Sequence, residues 1–362
     1  MTTFTIDADF PGGNILVEGI DGETVTLRQD PRDTPEWWFY WRFRVRGAAG
    51  RTLRFLFTDG DVFGARGPCV SLDGQKWRWL GRGIVRDNGF AFTFPPGKEE
   101  VYFSFCLPYQ ESHLHDFLAA YPRIQTDILT HSEGGRAVEH LALHAANCRG
   151  KVLFTARHHA CESMANYVLE GLFAVWMGHS PDANFLRNHI DFHAIPFMDK
   201  DGVENGDQGK CRFPHDHNRD YIDAPRYASV RALTSAVDSW RGPLLLHIDL
   251  HCPWIRDGWN EEIFAVGTKA TQDEKIHVLL TGLAALSAGD PLPFSAEQYL
   301  PFGVDWNVEG ATSTNFTATH PQRPLAVVFE FPYALAGGQT VTPHRARLFG
   351  RSLGKAIARF LH

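Results

Sequence analysis

The sequence predicts two domains: an antiparallel β-sandwich over residues 1–112, then an α/β domain with a mixed sheet and helices on both faces over residues 113–362. Two observations support this prediction. Apolar and polar side chains alternate with a period of two up to about residue 110, and the rest of the chain interleaves helix-length apolar periods with short apolar runs. The length of 362 residues also exceeds that of an average single domain.

The predicted sandwich rests on alternating segments such as "WWFYWRFRVRG", "RTLRFLFTDG" and "EEVYFSFCLPY", which are separated by Gly, Pro and Asp turns. The aromatic residues between 37 and 43 resemble a sugar-stacking platform. We interpret them as core, because aromatic side chains that alternate along a strand usually face the interior.

The predicted α/β sheet consists of apolar runs without clean alternation, as expected for strands that are buried on both faces. The runs are residues 151–157, 192–199, 242–251, 263–267 and 324–331, and helices are predicted at 112–124, 161–178 and 343–361. In open α/β sheets, ligands bind beyond the C-terminal ends of the strands. We therefore expect the polar residues that follow these runs to form the functional site.

Composition narrows the range of partners and of locations. The formal net charge is −7 and no Lys/Arg cluster is present, so we expect no nucleic-acid partner. No run of eighteen apolar residues predicts a membrane span, and the N-terminus lacks a secretion signal, so we predict a cytoplasmic protein. The six cysteines are scattered without a CxxC pair, which argues against a disulfide framework. The sequence leaves the oligomeric state open.

A possible metal site lies in "ARHHACESMANYVLEGL", residues 156–172, where a strand gives way to a helix. Glu162 follows His159 by three residues, and the adjacent His158 is a second candidate. His251, at the end of another predicted strand, supplies a third ligand. Two histidines and one glutamate are the ligand set of many zinc hydrolases. The nearby His247 is interpreted as a core residue.

The segment 210–221 contains Asn218 and Arg219, an amide and a guanidinium that together suit a substrate carboxylate. The same segment admits a second metal site formed by residues 215–217, or a solvated loop, and the sequence alone favours the loop. Glu330 lies in the apolar run "AVVFEFPY". Burial would raise the pKa of the Glu330 carboxyl towards a value suited to a general base, unless the carboxylate simply pairs with an arginine.

These pieces, in this order, resemble the zinc carboxypeptidase family, and most closely its cytosolic carboxypeptidase branch. The family's HPGE is similar to His159-Ala160-Cys161-Glu162, and its NPDGV to "MDKDGV" at 198–203. Its DLNRNY is similar to "DHNRDY" at 216–221, and its DLHGH to "DLHCP" at 249–253. A "PY" followed by a short helix at 105–118 matches the junction between the two domains in that branch.

The resemblance implies one Zn²⁺ per chain, and it selects His159 over His158 because the family's histidine stands three residues before its glutamate. The implied zinc ligands are His159, Glu162 and His251. Asn218 and Arg219 would hold the terminal carboxylate of the substrate, Glu330 would be the catalytic base, and Asp249 would orient a ligand.

The chain departs from the family at several positions. Ala160 and Cys161 replace Pro and Gly, and we interpret the Cys161 thiol as a bystander beside the metal. The family's arginine that polarises the scissile carbonyl has two candidates here, Lys210 and Arg212, and we favour Arg212 because its rigid fork suits an oxyanion. The family's tyrosine, about twenty residues before the base, has no counterpart between Tyr299 and Tyr333.

The resemblance implies a zinc metallocarboxypeptidase that acts on the C-terminus of a peptide or protein. An alternative is an amidohydrolase of small N-acyl amino acids, similar to aspartoacylase or succinylglutamate desuccinylase. A second alternative is a degenerate relative that only binds a glycan or a peptide. Arg256 is a candidate cation for acidic C-terminal side chains, although we favour a surface role for it.

Overall fold

The computed structural model describes residues 4–34, 37–270 and 272–362. The N-terminal strands are β1 (Thr5–Asp7), β2 (Leu16–Asp21), β3 (Thr24–Arg28), β4 (Arg42–Arg46), β5 (Thr52–Phe57), β6 (Cys69–Ser71), β7 (Trp77–Trp79), β8 (Gly89–Thr93) and β9 (Glu100–Ser104). The later strands are β10 (Gln125–His131), β11 (Ala137–Leu143), β12 (Gly150–Ala156), β13 (Ile190–Ile195), β14 (Leu244–His251), β15 (Phe264–Val266), β16 (Tyr299–Leu300), β17 (Leu325–Glu330), β18 (Leu335–Ala336) and β19 (Gln339–Thr340).

The α-helices are α1 (Glu111–Ala120), α2 (Met164–Trp176), α3 (Pro181–His189), α4 (Lys200–Asn205), α5 (Ala228–Ser239), α6 (Asp273–Ser287), α7 (Ser313–Thr319) and α8 (Pro343–Leu361). Helix α8 spans the predicted range, and α2 begins three residues later than predicted because the preceding segment forms the turn of the candidate site. The start of α8 is fixed by Thr342, whose side chain accepts from the backbone N–H of Arg345, and by Pro343 in the first turn.

The N-terminal region is a sandwich of two sheets, as predicted, with strand orders β1-β4-β9-β6-β7 and β2-β3-β5-β8. The pairs are antiparallel except for β3 and β5, which run parallel. Between the sheets the rings of Phe43, Phe55 and Phe103 lie 5.2–5.3 Å apart. The aromatic residues after position 37 are buried in this core, whereas Trp37 is 42% exposed.

The second sheet is mixed, with the order β10-β11-β13-β12-β14-β17-β15-β16, which confirms the predicted fold class. Its four central strands, from β13 to β17, run parallel and are almost entirely buried. Helices α2 and α8 pack against one face, and α5 packs against the other through an apolar cluster that includes Val230, Leu233 and Val237. The division at residue 112 stays a prediction.

The parallel strands bring their C-terminal ends together at one edge of this sheet. Strand β12 ends at Ala156, opposite Leu250 of β14, and His251 of β14 lies opposite Glu330 of β17. The residues that follow β12 therefore meet the last residues of β14 and β17, as the sequence predicts. In the described ranges, no helix has the length and apolar character needed to cross a bilayer.

Helices α2 and α8 approach so closely that two glycines face each other. A Cβ atom on Gly350 would collide with the carbonyl oxygen of Val168, and one on Gly171 would collide with the carbonyl oxygen of Arg347. The close contact between α2 and α8, which cover one face of the central strands, therefore requires glycine at both positions.

We predict that Gly350→Ala lowers the free energy of unfolding by about 1–3 kcal/mol, because the added methyl group forces the two helices apart. The matched control is Gly282→Ala in α6, where no described atom lies within 4 Å of the new methyl group. That variant should be stabilised by about 0.5–1 kcal/mol through helix propensity alone. Urea denaturation measures both variants, and equal effects would show that the α2–α8 contact is not tight.

Candidate active site

The turn after β12 is shaped by Arg157, which adopts a left-handed conformation with a φ of 60°. Its buried guanidinium donates to the carbonyl oxygen of Tyr109 at 2.8 Å and to that of Ala160 at 2.9 Å. It also donates to the side chain of Asn166 at 2.9 Å. This internal clamp directs the next residues towards the strand ends. Arg157 was not predicted from the sequence. Its position beside the histidines is the one signal that could have indicated it.

Three predicted metal ligands meet at the end of this turn. Nδ1 of His159 lies 2.8 Å from Oε1 of Glu162, and Nδ1 of His251 lies 2.9 Å from Oε2 of the same carboxylate. One donor atom from each residue lies within 4.8 Å of the other two. Oε2 of Glu162 makes no hydrogen bond among the described residues despite its proximity to His251. Two imidazole nitrogens and a carboxylate oxygen that converge in this way fit a divalent metal such as zinc.

Glu162 is completely buried, yet it stays ionised. Burial alone would raise its pKa, but Lys210, His159 and His251 together hold that pKa well below the usual range. Burial would conversely lower the pKa values of the two histidines, whereas the nearby carboxylates raise both. Each charged group of the site therefore lies beside a group of opposite charge that offsets the cost of its burial.

Two further carboxylates orient the imidazole rings. Oδ2 of Asp216 lies 3.4 Å from Nε2 of His159, and Oδ2 of Asp249 lies 2.9 Å from Nε2 of His251. Each ring therefore turns its Nδ1 atom towards Glu162. The sequence analysis assigned this orienting role to Asp249 but had placed Asp216 in a possible second metal site.

The segment around Asp216 is neither a second metal cluster nor a solvated loop. His215 bonds to Asp220 at 2.5 Å, while the ring of His217 stacks on that of Tyr227 at 3.7 Å. Both Asp216 and His217 are buried. The candidate metal clusters among the described residues do not combine residues 215–217.

His158 points away from His159 and joins a buried network around Asp249. Its Nδ1 lies 3.0 Å from Oδ1 of Asp249, and its Nε2 lies 2.8 Å from the hydroxyl of Tyr221. Thr155 and Ser313 also donate to Asp249, at 2.7 and 2.5 Å. His158 thus hydrogen-bonds beside the three predicted ligands. His158, Asp249 and His251 nevertheless form a second cluster of possible ligands.

His247 lies in the core, as interpreted from the sequence. Its two ring nitrogens bond to the hydroxyls of Thr155 and Thr317 at 2.9 and 2.8 Å.

Lys210 and Arg212, the two candidates for the oxyanion-binding residue, lie in different surroundings. The Lys210 ammonium donates to Oε1 of Glu162 and, at 2.7 Å, to the carbonyl oxygen of Cys252. Arg212 instead pairs with Asp33 at 3.0 Å, and with Asp199 and Asp207 at 2.7 and 3.1 Å. The structure thus brings Lys210, and not the favoured Arg212, to the ligand cluster.

Asn218 and Arg219 border the cluster on the side of His251. Nδ2 of Asn218 lies 3.3 Å from Nε2 of His251, and its Oδ1 accepts from the backbone of Ser313 at 2.9 Å. The exposed Arg219 donates to the carbonyl oxygen of Asn218 at 2.9 Å. No acidic side chain among the described residues forms an ion pair with Arg219.

Glu330 ends β17 opposite His251 and is 8% exposed. Its Oε2 atom has no hydrogen-bond partner in the described ranges. Burial raises the pKa of Glu330, while His251 and Lys210 oppose that rise only in part. The alternative pairing with an arginine is not seen among the described residues.

Nearby groups that could compete for these roles are already engaged. The Cys161 thiol lies 3.3 Å from the hydroxyl of Tyr333, and burial raises the pKa of that thiol to about 12. Tyr299 donates its hydroxyl to Asp273. Arg256, the candidate cation for acidic substrates, pairs with Asp61 and Asp257.

The N-terminal domain holds the loop that carries Lys210. Oε1 of Gln208 accepts from the backbone of Phe39 at 2.7 Å, and its carbonyl oxygen accepts from the backbone of Cys161 at 3.0 Å. Asp33 accepts from the backbone of Gly209 at 3.0 Å as well as from Arg212. The sequence offered no signal for these contacts, because they join residues about 170 positions apart.

Comparisons with known proteins agree with this architecture. A family model described as the cytosolic carboxypeptidase N-terminal domain matches residues 6–106. The chain is 29% identical over 216 residues to an uncharacterized protein of Zymomonas mobilis, with 56% of each chain covered. It is also 29% identical over 265 residues to cytosolic carboxypeptidase 2 of Danio rerio. That match covers 60% of this chain and 36% of the relative, so the chain spans about half or less of these relatives.

Solved structures share the whole fold. A metallo-carboxypeptidase from Burkholderia cenocepacia superposes with a TM-score of 0.79 at 20% identity, with 99% of both chains covered. A metallo-carboxypeptidase from Pseudomonas aeruginosa, solved in complex with (2-guanidinoethylmercapto)succinic acid, gives 0.78 at 20% identity and the same coverage. The chain therefore carries a segment that matches the cytosolic carboxypeptidase N-terminal domain, is similar in sequence to cytosolic carboxypeptidases, and shares the fold of these metallo-carboxypeptidases.

Proposed function

We propose that the protein is a zinc-dependent carboxypeptidase that removes C-terminal amino acids from peptides or proteins in the cytoplasm. The observation that carries the proposal is the convergence of His159, Glu162 and His251 beside the unpartnered carboxylate oxygen of Glu330. The relatives named cytosolic carboxypeptidases support both the reaction and the location. The three ligands would hold one Zn²⁺ per chain, which when bound supplies Lewis acidity that acidifies water and polarises a carbonyl group.

The terminal carboxylate of the substrate would be held by Arg219 and Asn218. Arg219 is exposed and its donors are largely unused, and a guanidinium binds a carboxylate through two parallel hydrogen bonds. The amide of Asn218 lies between Arg219 and His251. A free carboxylate that is held by Arg219 and Asn218, next to the candidate ligand His251, would restrict cleavage to the last peptide bond.

We assign the stabilisation of the oxyanion to Lys210 in place of Arg212. The Lys210 ammonium already contacts Glu162, so it lies next to the position where a scissile carbonyl must sit. Arg212 is surrounded by three carboxylates and binds the loop to the N-terminal domain. These three ion pairs hold its guanidinium in that structural role.

Glu330 would remove a proton from the attacking water and return it to the leaving amine. Its raised pKa brings the carboxyl closer to the working pH, where a group can both accept and release a proton efficiently. The hydroxyls of Tyr299 and Tyr333 are engaged by Asp273 and Cys161. Glu330 is therefore the group we assign to both proton transfers.

The proposal is tested by incubating the zinc-loaded protein with a mixed peptide library, with the same peptides amidated at the C-terminus, and with N-acyl amino acids. Release of single C-terminal residues from the free-acid peptides alone is expected, because an amide cannot bind Arg219 as a carboxylate does. Glu330→Gln, the impaired control, should reduce turnover about 10²–10⁴-fold. Cleavage of N-acyl amino acids alone would instead establish the small-amide hydrolase.

Zinc content of two variants distinguishes the two candidate ligand clusters. His159→Gln should lose zinc at saturating metal, since it removes a direct ligand. His158→Gln should retain one zinc per chain, with affinity reduced by no more than about 10–100-fold, because His158 acts only through Asp249. Elemental analysis after gel filtration measures both. The reverse pattern would place the metal among His158, Asp249 and His251.

A second pair of variants separates the roles of Lys210 and Arg212. Lys210→Met should lower kcat about 10²–10³-fold, the usual effect of removing one oxyanion donor. Arg212→Met should instead lower the free energy of unfolding by about 3–5 kcal/mol, because it leaves three buried carboxylates without their cation. Steady-state kinetics and urea denaturation are measured on both proteins. A large loss of kcat in a fully stable Arg212→Met protein would return the oxyanion role to Arg212.

A further inference from the structure

A cavity of about 340 Å³ lies in the N-terminal domain. It borders Trp37, which stacks on Trp254 on the side of the ligand cluster. Gln29, Trp37, Asp59 and Gly60 form part of its wall. A Cβ atom on Gly60 would lie 3.3 Å from Nε2 of Gln29 and 3.5 Å from Nε1 of Trp37. The absence of a side chain at Gly60 therefore keeps this cavity open.

The wall of the cavity offers acceptors and an aromatic face. Nε2 of Gln29 donates to the carbonyl oxygen of Trp38 at 2.7 Å, which fixes the orientation of the amide and identifies Oε1 as its acceptor atom. That Oε1 atom has no partner among the described residues, and Gln29 is only 3% exposed. Trp37 is 42% exposed and presents its indole ring. Acceptors beside an indole ring suit a cation.

Asp59 is the charged residue in the wall of this cavity. Its carboxylate is exposed at the wall and has no ion-pair partner in the described ranges, whereas its acidic neighbours are neutralised. Asp61 pairs with Arg256, and Asp30 pairs with Arg32 at 3.1 Å. The unneutralised charge next to the cavity is therefore negative.

Two aromatic rings connect the wall of the cavity to Lys210. The ring of Trp37 stacks on that of Trp254 with centroids 5.2 Å apart, and the Trp254 ring lies 5.9 Å from Nζ of Lys210. A peptide whose C-terminus binds Arg219 and whose scissile carbonyl faces Lys210 would have these two rings within reach of its upstream residues. These two separations put the Trp37 ring within the reach of about three residues of extended chain from Lys210.

We propose that this cavity is a subsite for a lysine or arginine side chain of the peptide substrate, roughly three or four residues upstream of the bond that is cleaved. The inference rests on the proposed carboxypeptidase function, which fixes the direction of the peptide. The carboxylate of Asp59 binds the cationic group, and Trp37 covers its aliphatic stem. The N-terminal domain thereby selects substrates as well as supporting the loop of Lys210.

The test measures binding of alanine-based peptides to zinc-loaded Glu330→Gln protein by calorimetry, so that it does not depend on turnover. Each peptide carries one Lys, or a matched Gln, at the second to fifth position upstream of the scissile bond. Lys at the third or fourth position should bind about threefold to fivefold tighter than Gln. The difference should shrink in 1 M salt, as expected for a partly exposed ion pair.

Asp59→Asn in the same protein should bring the ratio of Lys to Gln affinity close to one. The matched control is Asp127→Asn, which removes the same charge from the exposed strand β10 and should keep the ratio. Equal binding of Lys and Gln peptides at every position overturns the proposal, and so does a preference that Asp59→Asn retains. Wild-type hydrolysis of the all-alanine peptide reports separately on the proposed function, so the two failures are distinguishable.

Discussion

The structure is organised around one carboxylate, that of Glu162, which is completely buried and still ionised. A buried charge is costly unless cationic groups surround it, so the positions of His159, His251 and Lys210 follow from this constraint. The carboxylates of Asp216 and Asp249 then orient the rings from behind. Arg157 closes the turn that brings Glu162 to the end of the sheet. A divalent metal bound here would replace scattered positive charge by one ion, which the histidines would bind as neutral rings.

The N-terminal sandwich is part of the same construction. The backbone of Phe39 donates to Gln208, and Asp33 accepts from the loop that leads to Lys210. Asp33 is also one of the three carboxylates that pair with Arg212. The carboxylate of Asp207, one of the three, has a pKa raised to about 7 by burial and by its neighbour Asp33. The three carboxylates around the Arg212 guanidinium explain why this residue is held away from the ligand cluster. A sandwich placed in this way stabilises the site and also borders the path of a peptide.

Much of the fold was readable from the sequence because hydrophobic periodicity separates half-buried strands from strands that are buried on both faces. The meeting of the three candidate ligands with Glu330 could be predicted because His159, Glu162, His251 and Glu330 all stand at or just after strand ends, where parallel strands converge. The choice between Lys210 and Arg212 could not be predicted, since spacing does not show that Asp33, almost 180 residues upstream, occupies the guanidinium. The role of Asp216 was hidden for the same reason, because its partner His159 lies on a different strand end.

The most direct test of the account is a crystal structure of the zinc-loaded protein, with anomalous data collected on both sides of the zinc edge. The account predicts one anomalous peak per chain, bound by Nδ1 of His159, Nδ1 of His251 and the Glu162 carboxylate at about 2.0–2.2 Å. Lys210 and Glu330 should border the same peak without coordinating it. A peak bound by His158 and Asp249, or no peak at all in fully loaded protein, would contradict the account.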